Sequence, residues 1–255
     1  MTADATKSSP RGWTRRDWLK AGGIAGISGV VGAAIGTEVI APLLGPPVEL
    51  NGEIRADFVY TASPTPQWWD TLVGQAVRVT DLAEWQGATA VWRGLFRDGG
   101  LIRQTGFPVL VIRVKREDTY LKVPEPFTAP PGYAFFYDDS ARDLRIIVVY
   151  SRCTHLCCYT SWHALPPGTP IVSNYFAPSP TREVYGQIPI YCICHDAQYD
   201  PLVLAPTYVP WGTFSYLGAS AVGGPARFGL PVVPVQSVGD VLLGGMGDPR
   251  WYAYC

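Results

Sequence analysis

Histidine is scarce in this chain: three residues of 255, at positions 155, 163 and 195. Two separate histidine-built metal centres are therefore beyond it. Charge is sparse too, at 16% Asp, Glu, Lys and Arg, and it is balanced, with 20 basic against 21 acidic residues. No basic stripe appears after the N-terminus, which excludes a nucleic-acid partner. Long amphipathic helical patterns and internal repeats are missing as well. What is plentiful is proline (24), glycine (27), tyrosine (14) and tryptophan (9), a mixture that favours many short strands and loops. The length fits one substantial domain or two small ones.

Short apolar or alternating runs separated by turn residues predict strands at Gln75–Val79, Ala88–Trp92, Val109–Lys115, Arg145–Tyr150, Glu183–Tyr191, Val232–Val235 and Val241–Leu243. A single helical turn is expected at Trp68–Leu72, and Asp200-Pro201 reads as a turn leading back into a strand. The expected architecture is mainly β, an antiparallel sheet sandwich.

The N-terminus carries a different signal. Five basic residues (Lys7, Arg11, Arg15, Arg16, Lys20) oppose two acids within the first twenty positions. Thr14-Arg15-Arg16-Asp17-Trp18-Leu19-Lys20 resembles the twin-arginine export signal. Residues 21–44 follow, uncharged except for Glu38 and long enough to span a bilayer as a helix. Val39-Ile40-Ala41 has the small-residue character of a cleavage site, but Pro42 would then be the first mature residue, so an uncleaved anchor is expected. The basic flank places the N-terminus in the cytoplasm and everything after Leu44 outside. The chain thus divides into a signal region (1–20), a transmembrane anchor (21–44), a linker or hinge (45–56) and a globular domain (57–255).

Two short clusters carry the chemistry: Cys153-Thr154-His155-Leu156-Cys157-Cys158 and Cys192-Ile193-Cys194-His195. Each pairs a soft thiolate with an imidazole. A Cys₂His₂ zinc site fits poorly, because zinc fingers space their cysteines by two to four residues and C-x-H does not. A purely disulfide framework, which an exported chain permits, leaves both histidines beside cysteines unexplained.

The pattern C-x-H followed by C-x-x-H resembles the Rieske iron–sulfur family. That resemblance implies a 2Fe–2S cluster, with Cys153 and Cys192 on one iron and His155 and His195 on the other. It implies a Cys158–Cys194 disulfide tying the two loops, and a sandwich with a small cluster-binding subdomain at about 150–230. Gly224-Pro225-Ala226 resembles the family's proline loop, which covers the cluster from a third side. Tyr199 matches a tyrosine whose hydroxyl donates to a ligand cysteine. Where respiratory members often carry a serine that donates to a bridging sulfide, this chain has Ala197, which implies a lowered potential. Cys157 stands where the family usually has glycine. It and Cys255 have no assigned role: they pair with each other, stay free, or only pack. The 33 residues between Cys158 and Cys192 exceed the family's usual count. The extra segment, from Trp162 to about Tyr185, is either a partner-recognition excursion or a tolerated insertion, with His163 on its surface.

The resemblance implies electron transfer. His155 and His195 would meet a membrane quinol, Leu156 would pack into the quinol pocket, and the electron would pass to a cytochrome or blue-copper carrier. The expected setting is a cytochrome bc-type complex, with a cytochrome b-type subunit as partner and membrane lipid around the anchor. The alternative is the Rieske subunit of an exported molybdenum enzyme such as arsenite oxidase. A self-contained oxygenase is excluded, since His163 alone cannot complete two histidines and a carboxylate on a second iron.

Overall fold

The computed structural model describes residues 52–102, 105–117, 119–163, 177–186, 189–209 and 214–255. The residues expected as signal region and anchor, and most of those expected as linker, lie outside the described residues. Among the described residues no helix is long and apolar enough to cross a membrane.

Fourteen strands, one short α-helix and two 3₁₀ turns (Asp70–Leu72 and Pro249–Tyr252) are formed among the described residues: β1 (Glu53–Ile54), β2 (Phe58–Tyr60), β3 (Gly87–Trp92), β4 (Leu95–Arg97), β5 (Gly100–Leu101), β6 (Phe107–Val114), β7 (Tyr137–Asp139), β8 (Leu144–Tyr150), α1 (Pro180–Tyr185), β9 (Ile190–Cys192), β10 (Ala197–Val209), β11 (Phe214–Gly223), β12 (Leu230–Pro231), β13 (Val235–Val238) and β14 (Val241–Gly244). A five-stranded sheet runs in the order β2-β3-β6-β8-β7, and a four-stranded sheet in the order β12-β11-β10-β9. Two smaller sheets, β1-β4-β5 and β13-β14, complete the set. All the pairings are antiparallel, so the mainly-β expectation holds.

The central strands of the large sheet are buried on both faces. β8 reads Leu-Arg-Ile-Ile-Val-Val-Tyr and β6 reads Phe-Pro-Val-Leu-Val-Ile-Arg-Val, near-continuous apolar runs rather than alternating ones. Such runs suit strands covered on both faces. Val109–Ile112 and Ile146–Val149 are all buried. Each of these side chains contributes roughly 1.5–3 kcal/mol by leaving water. Buried residues of both large sheets belong to one hydrophobic core, and Val149 bridges to Val232 between them.

Several sequence expectations are corrected. The run Glu183–Tyr191 is not one strand. Ser179 caps a helix at its start, accepting from the Arg182 amide, Pro180 occupies the first turn, and Gly186 closes it in the left-handed region. Only Ile190–Cys192 is strand. Asp200-Pro201 is not a terminal turn but lies inside β10, where the register against β11 shifts between Asp200 and Leu204. The fully buried Asp200 carboxylate accepts from the Ser179 and Thr181 hydroxyls and from the Thr181 and Leu202 amides. Four donors offset the cost of burying the charge and pin α1 to β10. Gln75–Val79 makes only isolated bridges, through Ala76 and Arg78. Val232–Val235 falls between β12 and β13, which reach it only at Val235. Within the expected linker, Glu53 and Ile54 form β1 and pair with β4.

Candidate metal centre

β8 delivers the first cysteine–histidine loop. From Ser151 the chain folds back on itself: Arg152 bridges to Tyr159, and the Ser151 hydroxyl donates to the Thr160 carbonyl at 2.9 Å. Inside this hairpin the Cys153 amide donates to the Cys158 carbonyl, and the Cys157 amide to the Cys153 carbonyl, both at 2.8 Å. β9 and β10 deliver the second loop, with Cys192 paired to Ala197 across the turn. The two loops are laid side by side by reciprocal amide–carbonyl bonds of 2.9 Å between Ser161 and Tyr191.

This arrangement brings the expected residues together. Cys158 and Cys194 form a disulfide. A second disulfide joins Cys157 to Cys255, which resolves the alternatives left open for that pair. In the chain-entropy picture, bridges across separations of 36 and 98 residues stabilise by at most roughly 4 and 5 kcal/mol. Cys153 and Cys192 remain free, and both are buried. The sulfurs of Cys158, Cys192 and Cys194 lie within 4.8 Å of one another, so the free Cys192 sits against the inter-loop bridge. Two of those three sulfurs are spent in that bridge, leaving Cys192 as the ligand-capable one. The imidazoles of His155 and His195 meet edge to face with centroids 4.8 Å apart.

The electrostatics favour a thiolate. Cys153 is pushed down to about 5, first by a hydrogen bond from Cys192 and then by Tyr199 and the His155 and Leu156 amides, against the opposing effect of burial. Cys192 moves up because it holds the shared proton. The Tyr199 hydroxyl lies 3.1 Å from Cys153 Sγ, and burial keeps that phenol protonated well above its ordinary range. The lowering of Cys153 by Tyr199 makes the phenol the donor to the sulfur, and the other protons nearby are accounted for. Thr154 spends its hydroxyl proton on the Phe228 carbonyl at 2.6 Å, and its amide donates to Tyr199 Oη at 3.1 Å. The Tyr199 proton is left for the Cys153 sulfur, with Thr154 Oγ1 as a secondary acceptor at 3.1 Å.

One further atom points inward. Nδ1 of His155 is buried and has no hydrogen-bond partner among the described residues. A buried ring nitrogen without a partner is costly, and on the ring that meets His195 it is an atom free to take a ligand.

The Gly224–Ala226 segment closes a third side. Gly224 has φ +78°, and a Cβ there would collide with the Asp196 carbonyl and come 2.7 Å from Ala197 Cα. Only glycine permits this approach to the second loop. Pro225 is half-buried and Ala226 buried, and the bond from Thr154 to Phe228 ties the segment to the first loop as well. The outer rim is apolar instead: Leu156 is 61% exposed and Ile193 69%, flanking the exposed His195.

Four contributors escaped the sequence reading. Thr154 links Tyr199 to Phe228. Tyr191 donates to the Asp196 carboxylate across the second loop, and Asp196 takes a left-handed φ of 61°. Arg152 donates to the Cys157 carbonyl at 3.0 Å and lies over the Tyr159 ring. Asp196 alone left a trace, as a residue type that tolerates left-handed turns. His163, expected on the surface, is half-buried beside Trp162, and burial pushes it down to about 4.

Neither the known protein-family models nor the curated proteins give a match to this chain.

Proposed function

We propose that this site holds a Rieske-type 2Fe–2S cluster and that the chain is the iron–sulfur subunit of a cytochrome bc-type quinol-oxidising complex. The observation that carries the reading is the donor set. Two buried thiols stay outside any disulfide and two histidines meet edge to face on the same pair of loops, while the other four cysteines are bridged. The donors fit the group. Cys153 already favours the thiolate, and His155 turns an unsatisfied Nδ1 inward. Cys153 and Cys192 would hold one iron, His155 and His195 the other. When bound, such a cluster supplies one-electron chemistry at a potential above that of all-cysteine centres.

The remaining residues serve that site in distinct ways. Tyr199 donates to the Cys153 sulfur and stabilises added negative charge there. Gly224, Pro225 and Ala226 exclude water from one side. Each histidine has a second ring nitrogen, Nε2 in His155, that would accept a hydrogen bond from a quinol hydroxyl and hold its proton. Leu156 and Ile193 offer an apolar rim for a quinol pocket in a cytochrome b-type partner. Ala197 is buried and supplies no hydroxyl, which favours a lower potential and a correspondingly low-potential quinol. Residues 21–44 would tether the domain to the outer face of the cell membrane, from which a cytochrome or copper protein would take the electron.

The test is purification of the full chain from a host that assembles iron–sulfur clusters. Two irons and two acid-labile sulfides per chain are expected, lost in Cys153→Ser and Cys192→Ser. One zinc per chain with no sulfide would replace the proposal with a structural metal site. Co-isolation with a cytochrome b supports the quinol-oxidising complex; co-isolation with a molybdopterin subunit favours the alternative assembly.

A further inference from the structure

We infer that the C-terminal segment Trp251–Cys255 is a clamp on the first ligand loop, with Tyr254 and Cys255 as positioning residues for the site; its consequence for metal retention rests on the reading above. The first observation is conformational. Cys157 has φ +61°, in the left-handed region that glycine adopts freely and a residue with a Cβ resists. A cysteine at such a position is explained by its sulfur, which is bonded to Cys255. The second observation is the neighbouring contact. The Tyr254 hydroxyl donates to the Arg152 carbonyl at 2.6 Å, and its ring meets that of Tyr150 edge to face at 5.6 Å. The tail therefore holds the loop at both shoulders, one residue before Cys153 and two residues after His155.

The tail is itself rooted in the core. Trp251 and Tyr252 are buried, and the Tyr252 ring packs on Trp92, Phe107 and Tyr150 with centroids 5.5–5.6 Å away. Adjacent cysteines thus anchor the loop in two directions. Cys158–Cys194 ties the two ligand loops to each other, and that bridge alone would let them shift as a pair. Cys157–Cys255 ties the first loop to a segment that the large sheet holds in place. The geometry assigns to the second bridge the task of fixing the histidine-bearing tip relative to the sheet beneath it.

The test uses the full chain with its disulfides formed. The variants are Cys157→Ser/Cys255→Ser, which leaves no stray thiol, and Tyr254→Phe, which keeps the ring and removes the hydroxyl. Amide hydrogen exchange over 153–158 in metal-free protein should accelerate by ~tenfold in the double variant, with β6 and β8 unchanged. Tyr254→Phe should move it in the same direction by less, and it keeps the test open if the double variant does not fold. Iron-loaded protein should lose its metal to a chelator several-fold faster in both variants. Unchanged exchange and unchanged iron loss would overturn the clamp. If wild type binds no iron, the metal reading fails by itself, and the exchange measurement still decides the clamp.

Discussion

Replacing Tyr199 by phenylalanine removes one hydroxyl from a fully buried position and leaves the ring in place. The hydroxyl does two jobs. It accepts from the Thr154 amide at 3.1 Å and donates to Cys153 Sγ at 3.1 Å. Losing the acceptor leaves a Thr154 N–H without a partner, which costs roughly 1–3 kcal/mol of stability. Losing the donor acts on the electron. A hydrogen bond to a charged acceptor is worth ~1.5–3 kcal/mol, and it strengthens when the sulfur gains charge on reduction. If about half of that worth is gained on reduction, the reduced form loses ~0.75–1.5 kcal/mol in the variant. At 59 mV for each 1.36 kcal/mol in a one-electron couple, the potential falls by ~30–65 mV. A redox titration followed by electron paramagnetic resonance reads this directly, with chemical denaturation for the stability cost. A potential within ~10 mV of wild type, in a variant that retains its iron, would refute the assignment of the Tyr199 proton to the Cys153 sulfur.

Ala197→Ser should work in the opposite sense, raising the potential by about 30–65 mV through a new donor beside the second loop. An unchanged or lower potential would remove the argument for a low-potential quinol. Gly224→Ala combines a positive φ with a collision against the Asp196–Ala197 backbone. It should destabilise the domain by roughly 2–5 kcal/mol and lower iron content, as read by thermal unfolding and metal analysis; a variant as stable as wild type would show that the third segment does not press on the second loop. His163 offers a pH test. Burial holds it down to about 4 in the folded chain, against ~6.5 when unfolded. Between those values the unfolded chain binds more protons, so stability is full above ~6.5 and falls as pH drops towards 4. His163→Gln should flatten that acid limb in denaturation curves, and an unaltered slope would place the titrating group elsewhere.

The features legible in the sequence are those whose chemistry is local. Cys153, His155, Cys192 and His195 lie in two short stretches, and hairpin turns keep neighbours in sequence neighbours in space. The strands expected at Val109–Lys115 and Arg145–Tyr150 were legible because burial on both faces leaves a near-continuous apolar run. The Cys157–Cys255 bridge was not, since six cysteines permit many pairings and spacing does not choose among them. Helix Pro180–Tyr185 was misread because the alternation of Glu183, Val184 and Tyr185 imitates a strand. Its cap at Ser179 and stop at Gly186 were the better signals. Asp200 followed by proline looked like a turn, yet a carboxylate with four donors stays buried inside a bulged strand. The helix was thus a matter of weighing local signals, whereas the buried Asp200 and the Cys157–Cys255 bridge depend on partners distant in sequence.

The central claim, that two thiolates and two imidazoles hold a binuclear iron–sulfur centre, rests on a spectrum. Electron paramagnetic resonance of the dithionite-reduced full chain should give a rhombic 2Fe–2S signal carrying nitrogen couplings from two histidines, absent in His155→Ala and His195→Ala. A protein without that signal that binds stoichiometric zinc, or one that binds no metal at all, would contradict it.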